Sequence, residues 1–122
     1  MTDWIIINNG SGKMQVAKDT LWFELDSTGL PDTVHAVHWG GRIGQTEHRD
    51  ASTGRMTHNT DLTSFSDYEF AQTRWESAYT TALNEAKQEA YDAAYSQAIA
   101  NGDSEEDAVA AGNAARDAVT EI

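Results

Sequence analysis

The spacing of hydrophobic positions changes partway along the chain. Up to about residue 60 they fall in short alternating runs between turn-forming residues, as in half-buried strands. From about residue 63 they recur every three or four residues, which is the period of a helix. The pattern therefore predicts an antiparallel β unit at residues 1–62 and a helical hairpin at residues 63–122. The expected fold class is α+β.

The first part of the chain predicts short strands arranged as a small antiparallel meander. Turns rich in glycine, asparagine and aspartate separate nearly all of them. In the third strand, Leu21, Phe23 and Leu25 lie on one face. Trp22 and Glu24 lie on the opposite face, so one face of the sheet is expected to be apolar. The predicted strands are residues 4–7, 13–17, 20–25, 34–39, 42–48 and 55–60.

A long, alanine-rich helix is predicted at residues 66–100. Its start matches a capping box, in which Ser66 and Glu69 satisfy each other's exposed backbone N–H groups. Phe65 and Phe70 flank this box as a hydrophobic staple. At about 1.5 Å per residue, such a helix is a rod of roughly 50 Å.

A second, shorter helix is predicted at residues 105–120. Asn101-Gly102 provides a left-handed end for the long helix, and Ser104 followed by three acidic residues provides a start for the short one. The short helix, about 24 Å long, can cover only half of the long one. The two helices are expected to form a hairpin.

The uncovered half of the long helix must rest either on the β unit or on another subunit. The first alternative is intramolecular packing, and the second is oligomerisation. Alanine also has the highest intrinsic helix propensity, so its abundance alone does not identify a contact. Trp22 and Trp39 either complete the core or mark a contact surface. The candidate interface residues are Trp75, Tyr79, Ala82, Leu83, Ala86, Ala90, Trp22 and Trp39.

Acidic residues are concentrated in the helical half of the chain. The net charge is −12; residues 1–60 hold seven acids and five bases, whereas residues 61–122 hold thirteen acids and three bases. A surface this negative repels phosphate backbones, so nucleic acid is not an expected partner. The plainest interpretation is a solvated face, and the alternative is an acidic docking surface for a basic partner.

Composition also bears on where the protein acts. Cysteine is absent, which excludes disulfides and thiolate zinc sites. The start of the chain, Met-Thr-Asp-Trp and three isoleucines, lacks the basic region of a secretory signal. No segment approaches the roughly 20 apolar residues of a membrane span, so no membrane partner is expected. The protein is expected to be made and kept in the cytoplasm, or released by a route other than secretion.

Residues 9–13, which read Asn-Gly-Ser-Gly-Lys, invite comparison with a phosphate-binding loop. That motif needs a glycine five positions before Gly12, where Ile7 stands. It also needs Ser or Thr after the lysine, where Met14 stands. A hairpin turn is predicted instead, and no cofactor is expected.

The four histidines do not form an evident metal site. His35 and His38 project to opposite faces of a strand, so their spacing cannot make a bidentate site. His38 and His48 could meet across the hairpin at Gly40-Gly41, yet no carboxylate is obviously placed to complete a ligand set. Solvated or hydrogen-bonded histidines are favoured, and no metal is expected.

Two pairs of carboxylates have the residue types that a glycoside-hydrolysing site needs. Pairs of this kind arise by chance in a chain with 20 acidic residues, and no aromatic-lined cleft can be inferred at this size. The chain is therefore expected to be noncatalytic, with no catalytic residue. The pairs are Asp19 with Glu24 and Glu47 with Asp50.

Residues 30–44 read Leu-Pro-Asp-Thr-Val-His-Ala-Val-His-Trp-Gly-Gly-Arg-Ile-Gly, and residues 62–65 read Leu-Thr-Ser-Phe. Over about residues 19–80 the chain resembles small virion-associated proteins of tailed bacteriophages. In that group a hydrophobic-x-Ala-Val-x-Trp strand leads through a glycine turn into a second strand, and a Thr-x-Phe step opens a helix containing a tryptophan. The chain departs from the pattern at Gln45-Thr46, where a glutamate usually stands. The matching residues are Val34, Ala36, Val37, Trp39, Gly41, Thr63, Phe65 and Trp75.

The resemblance implies a noncatalytic structural protein of the virion, of the tail, baseplate or fibre-associated type. Such a protein is made in the host cytoplasm and assembles with other virion proteins and with further copies of itself. An assembly chaperone or adaptor that leaves before maturation and a head decoration protein are the alternatives. A small hydrolase or ligand-binding domain is a more remote alternative.

Overall fold

The structure, a computed structural model, describes residues 4–10 and 12–122. Within these residues an antiparallel sheet is followed by a long helix and a shorter helix, which confirms the α+β class. Ser11, part of the predicted first turn, lies outside the described residues. The elements are β1 (Ile5–Asn9), β2 (Lys13–Lys18), β3 (Leu21–Asp26), β4 (Val34–Trp39), β5 (Gly44–Arg49), β6 (Met56–Leu62), α1 (Glu69–Ala100) and α2 (Glu105–Ala118).

The sheet consists of two antiparallel meanders placed side by side. β1, β2 and β3 form the first, β4, β5 and β6 form the second, and the order across the sheet is β3-β2-β1-β4-β5-β6. β1 therefore pairs with β4, with Ile7 opposite Val37. The chain leaves β3 at one edge and re-enters the sheet in its middle, a crossover that the predicted meander did not include.

Polar side chains anchor the loop that makes this crossover. Asn9 Nδ2 donates hydrogen bonds to the carbonyl oxygens of Val34, at 2.8 Å, and Pro31, at 3.2 Å. Arg49 Nε donates to the carbonyl oxygen of Asp32 at 2.9 Å. These donors bond to carbonyl oxygens of the loop and of the first residue of β4. The loop is thus fixed from β1 on one side and from β5 on the other.

Alternation along the strands gives the sheet one buried face and one open face. Ile7 lies between Val16 on β2 and Val37 on β4. Burying a side chain of this size stabilises the fold by about 1.5–3 kcal/mol. The alternation predicted for the third strand is confirmed, since Phe23 is half-buried and Trp22 is exposed. The largest fully buried side chains are Ile5, Ile7, Met14, Val16, Val37 and Thr46.

The first turns of α1 and the segment before it cover the buried face. Trp75 packs edge-on against Phe23, with ring centroids 5.7 Å apart, and its indole N–H donates to the carbonyl oxygen of Leu21 at 3.0 Å. Phe65 stacks on Trp39 at 5.8 Å. Aromatic pairs of this kind contribute about 0.5–1.5 kcal/mol beyond their buried area. The start of α1 is therefore part of the sheet's own core.

The chain divides into two compact units, unit 1 (Met1–Glu76) and unit 2 (Ser77–Ile122). The boundary expected from the sequence lay between residues 62 and 63, where the hydrophobic period changes. The compact unit extends further because Ala71 and Trp75 are buried with the strands. Secondary structure and packing thus change at different places along this chain.

Unit 2 is a helical hairpin formed by the rest of α1 and by α2. Gly102 has φ +89°, and the N–H of Asp103 donates to the carbonyl oxygen of Ala98, which is the predicted left-handed helix end. Ser104 caps α2 by accepting from the N–H of Asp107. Gly112 of α2 lies directly against the ring of Tyr91. Glycine permits this close approach of the two helices.

The predicted capping box at the start of the long helix is wrong. Residues 66–68 form a 3₁₀ turn, and α1 begins only at Glu69. The N–H of Ser66 donates to the hydroxyl of Ser64, and the N–H of Tyr68 donates to the carbonyl oxygen of Phe65. Ser66 is thus inside the turn rather than at its cap, because Ser64 offers the same hydroxyl two residues earlier.

Candidate functional site

The candidate interface residues on α1 lie in different surroundings. Trp75 is buried within unit 1. Of the two alternatives considered for it, packing on the β unit is the one observed. The other five lie in unit 2, where they are half-buried; they are Tyr79, Ala82, Leu83, Ala86 and Ala90.

The two candidate tryptophans in the strands lie on opposite faces of the sheet. Trp22 is 45% exposed and pairs with Ala17 on the open face. Trp39 pairs with Ile5 on the buried face and is held there by Phe65. The structure therefore does not join them into one surface.

Unit 2 buries very little apolar surface within the part of the chain that the structure describes. Its buried side chains are those of Ala98 and Ala108, together with the glycine at 112. Larger apolar side chains stay at its surface, with Ile99 45% exposed and Val109 37% exposed. The hairpin therefore has only a small core of its own.

The glycine-rich segment after β1 is a hairpin turn, as predicted. The N–H of Gly10 donates to the carbonyl oxygen of Lys13 at 2.8 Å, which closes the turn. A Cβ at Gly10 would stand 2.7 Å from that oxygen, so the position requires glycine.

Two of the histidines, His48 and His58, stack on each other, and His38 lies apart from them. His38 lies opposite Gln45 and its Nε2 is 3.2 Å from a Glu47 carboxylate oxygen. His48 stacks on His58, with ring centroids 4.5 Å apart. The suggested meeting of His38 and His48 is thus wrong, since the strand register brings Gln45 to His38 instead. Among the described residues no group of three or more metal-ligating side chains occurs.

The carboxylates considered for catalysis have local structural partners. Glu24 accepts a hydrogen bond from Gln15 Nε2 at 3.2 Å. Asp19 sits in the β2–β3 turn with φ 51°. Asp50 accepts from the backbone N–H groups of Ser52 and Thr53, and these bonds lower its pKa below the ordinary 3.8.

One basic residue that the sequence did not single out fixes α1 to unit 1. Arg74 donates to the carbonyl oxygens of Asp26 and Thr28 at 2.8 and 2.6 Å. The hydroxyl and N–H of Thr28 both donate to the Asp26 carboxylate, and these bonds, assisted by Arg74, lower the pKa of Asp26. This cluster joins the end of β3 to the second turn of α1. No local sequence motif marks it, because its members are 48 residues apart.

A groove of about 550 Å³ lies where the start of β1 meets the β4–β5 hairpin. Its size falls in the range of ligand sites in proteins, roughly 300–1,000 Å³. Ile43, at the tip of the hairpin, is 74% exposed. No local motif predicts this groove, because it depends on the pairing of β1 with β4. The residues that line it include Trp4, Ile6, His38, Ile43 and Gln45.

The two polar side chains of the groove are held in place by neighbours. Gln45 Oε1 accepts from Asn59 Nδ2 at 3.3 Å, and His38 Nε2 contacts Glu47. The Gln45 amide group therefore keeps its N–H donors for other partners.

No helix in the described residues is long and apolar enough to cross a membrane. Comparison of the chain with protein-family models, with curated proteins and with solved structures gives no match.

Proposed function

We propose that this chain is a noncatalytic structural protein of a tailed-phage virion, of the tail, baseplate or fibre-associated type, that acts through protein–protein assembly. Its partners are further copies of the chain and other virion proteins. The phage assignment is supported by the resemblance of about residues 19–80 to virion-associated proteins.

The observation that carries the assembly role is the small core of unit 2. Burial within the hairpin is limited to Ala98, Ala108 and Gly112 among the described residues. Tyr79 and Leu83 are only half-buried, and Ile99 is exposed. Removing such surface from water contributes about 25 cal/mol per Å², so a neighbouring chain that covers it stabilises the hairpin.

Charge sets the conditions under which copies associate. Residues 77–122 hold nine acids and two bases, so neighbouring hairpins repel one another. Salt screens this repulsion over about 10 Å at 0.1 M and leaves apolar contacts intact. Self-association is therefore expected to strengthen as salt concentration rises.

The substitutions Ala82→Glu and Ala86→Glu test whether copies of the chain contact one another through this part of α1. Each places a charge where a neighbouring backbone would approach, so the assembly should dissociate. Glutamate is a good helix former, so α1 itself should persist. Ala93→Glu is the matched control, since Ala93 is exposed on the same helix. Light scattering should give a smaller mass for the first two variants and an unchanged mass for the control. An unchanged mass in all three variants would contradict a contact between copies at Ala82 and Ala86.

The virion assignment is tested separately by mass spectrometry of purified particles. The proposal expects the protein in a fixed copy number per particle. Absence from mature particles, together with failed assembly when the protein is removed, would favour the chaperone or adaptor alternative.

A further inference from the structure

Asparagine is followed by glycine at two places in the chain, Asn9-Gly10 and Asn101-Gly102. An asparagine in this position undergoes spontaneous deamidation more readily than other asparagines, because glycine has no side chain to hinder attack by its backbone nitrogen. The two pairs are identical in sequence, so differences between them must come from the fold and from their flanking residues.

Deamidation at such a pair is a cyclisation followed by a hydrolysis. A bond forms between the glycine nitrogen, which loses its proton, and the side-chain carbon Cγ of the asparagine. The bond from Cγ to the side-chain nitrogen breaks, so that ammonia leaves and a succinimide ring remains. Water then adds to one of the two ring carbonyl carbons, and the bond from that carbon to the ring nitrogen breaks, which gives aspartate or isoaspartate. Water is the co-reactant, and nothing is oxidised or reduced.

The fold opposes this reaction at Asn9. Its Nδ2 donates to the carbonyl oxygens of Val34 and Pro31, and the N–H of Gly10 donates to the carbonyl oxygen of Lys13. Cyclisation removes all of these donors, because Nδ2 leaves as ammonia and the glycine nitrogen loses its proton. Asn9 also ends β1, which lies between β2 and β4 within the sheet. The reaction there requires the crossover loop and the first hairpin to open together.

Asn101 lies in different surroundings, in the turn between α1 and α2. Asn101 and Gly102 are both exposed to water and follow the last residue of α1, where helices fray most easily. The side-chain oxygen of Asn101 accepts from Gln97 Nε2 at 3.1 Å, and this oxygen stays on Cγ through the cyclisation. The hydrogen bond that cyclisation removes is the one from the N–H of Gly102 to the carbonyl oxygen of Ile99.

We propose that Asn101 is a site of spontaneous deamidation, and that the fold protects Asn9 from the same reaction. The product carries a new negative charge just beyond the C-terminal end of α1, where the helix dipole is already negative. Isoaspartate also adds one carbon to the backbone, next to the bond from the N–H of Asp103 to the carbonyl oxygen of Ala98 that ends the helix. Deamidation therefore loosens the turn that joins the two helices, whether or not the chain assembles.

The test is incubation of the folded full chain in mildly alkaline buffer, followed by proteolysis and mass spectrometry over time. Replacement of NH₂ by OH gives a small mass gain, and fragmentation locates it. Asn101 should convert at least about tenfold faster than Asn9. In concentrated guanidinium chloride the two rates should converge. Equal rates in the folded chain, no conversion of Asn101, or a difference that persists in the denaturant would overturn the proposal.

Asn101→Ser provides the site-specific arm of the same experiment. Trypsin leaves Asn101 and Asn113 in one peptide, residues 88–116. The substitution should abolish the mass gain of this peptide, because serine has no side-chain amide to lose. A mass gain that persists in the variant would place the reaction at Asn113 and would contradict the assignment.

The effect on the helix end is measured with Asn101→Asp, which makes the aspartate product directly. Asn84→Asp is the matched control, since Asn84 is exposed in the interior of the same helix. Asn101→Asp should lower the Tm of the helical circular dichroism signal by about 2 °C more than the control does. An equal or larger loss in the control would contradict the effect assigned to the end of α1.

Discussion

Unit 1 buries large apolar side chains, whereas the buried residues of unit 2 are small. In unit 1, Ile7, Val16 and Val37 are removed from water completely. In unit 2, the buried residues within the described part of the chain are two alanines and a glycine. At about 0.8 kcal/mol per buried CH₂, unit 1 is held mainly by its core, whereas unit 2 relies more on helix propensity and on its caps. A single chain thus combines a sheet that buries large apolar side chains with a helical hairpin that buries small ones.

The largest expected effect is loss of a core side chain in unit 1. Ile7→Ala removes methyl and methylene groups from the centre of the sheet and should lower the free energy of unfolding by about 2–5 kcal/mol. Ile43→Ala is the matched control: the same change at a side chain 74% exposed should cost less than about 0.5 kcal/mol. Urea unfolding measures both, and equal effects would contradict the assignment of the core.

The contact between α1 and α2 in unit 2 should be weakened by a single added methyl group. A Cβ at Gly112 would stand 2.6 Å from a Tyr91 ring atom, so Gly112→Ala should separate the helices and destabilise the hairpin by about 1 kcal/mol, despite the better helix propensity of alanine.

Removing the ring provides the control for that prediction. In a Tyr91→Ala background, Gly112→Ala should become stabilising by up to about 1 kcal/mol, because only helix propensity remains. Thermal unfolding followed by helical circular dichroism measures this reversal. Destabilisation of equal size in both backgrounds would mean that Tyr91 is not what Gly112 accommodates.

Backbone strain in turns distinguishes the units further. The β2–β3 turn of unit 1 holds Thr20, a β-branched residue, at φ 70°, whereas the turn of unit 2 uses Gly102 at φ 89°. Thr20→Gly should therefore raise the free energy of unfolding by roughly 1 kcal/mol, and Gly102→Ala should lower it by a similar amount. Urea unfolding of both variants gives the signs; destabilisation by Thr20→Gly would show that the turn is not strained.

The smallest expected effect concerns the turn between β5 and β6. The N–H groups of Thr53 and Ser52 lower the pKa of Asp50, so the ionised form contributes stability above its unfolded-state pKa, and that contribution is lost as pH falls through the lower folded-state pKa. Asp50→Ala should be less stable than wild type at neutral pH, and the difference should shrink below about pH 3.8. A difference that is constant over pH in urea titrations would contradict this.

The positions of strands and helices followed from the sequence because their periods are local. The β4 strand, for example, has the predicted bounds, Val34–Trp39. The pairing of β1 with β4 did not follow, because contacts between distant strands carry no local signal, and the groove around Trp4 and Trp39 depends on that pairing. The start of α1 was misplaced because Ser64 and Ser66 both offer capping hydroxyls, and only the folded turn decides between them.

The measurement that tests the central claim most directly is the absolute mass of the purified full chain by light scattering, across a range of protein and salt concentrations. The account predicts a defined oligomer, with a trimer or hexamer fitting a tail or fibre component, and stronger association at higher salt. A strict monomer under every condition would contradict self-assembly through unit 2 and would leave the half-buried surface of its helices without the partner proposed for it.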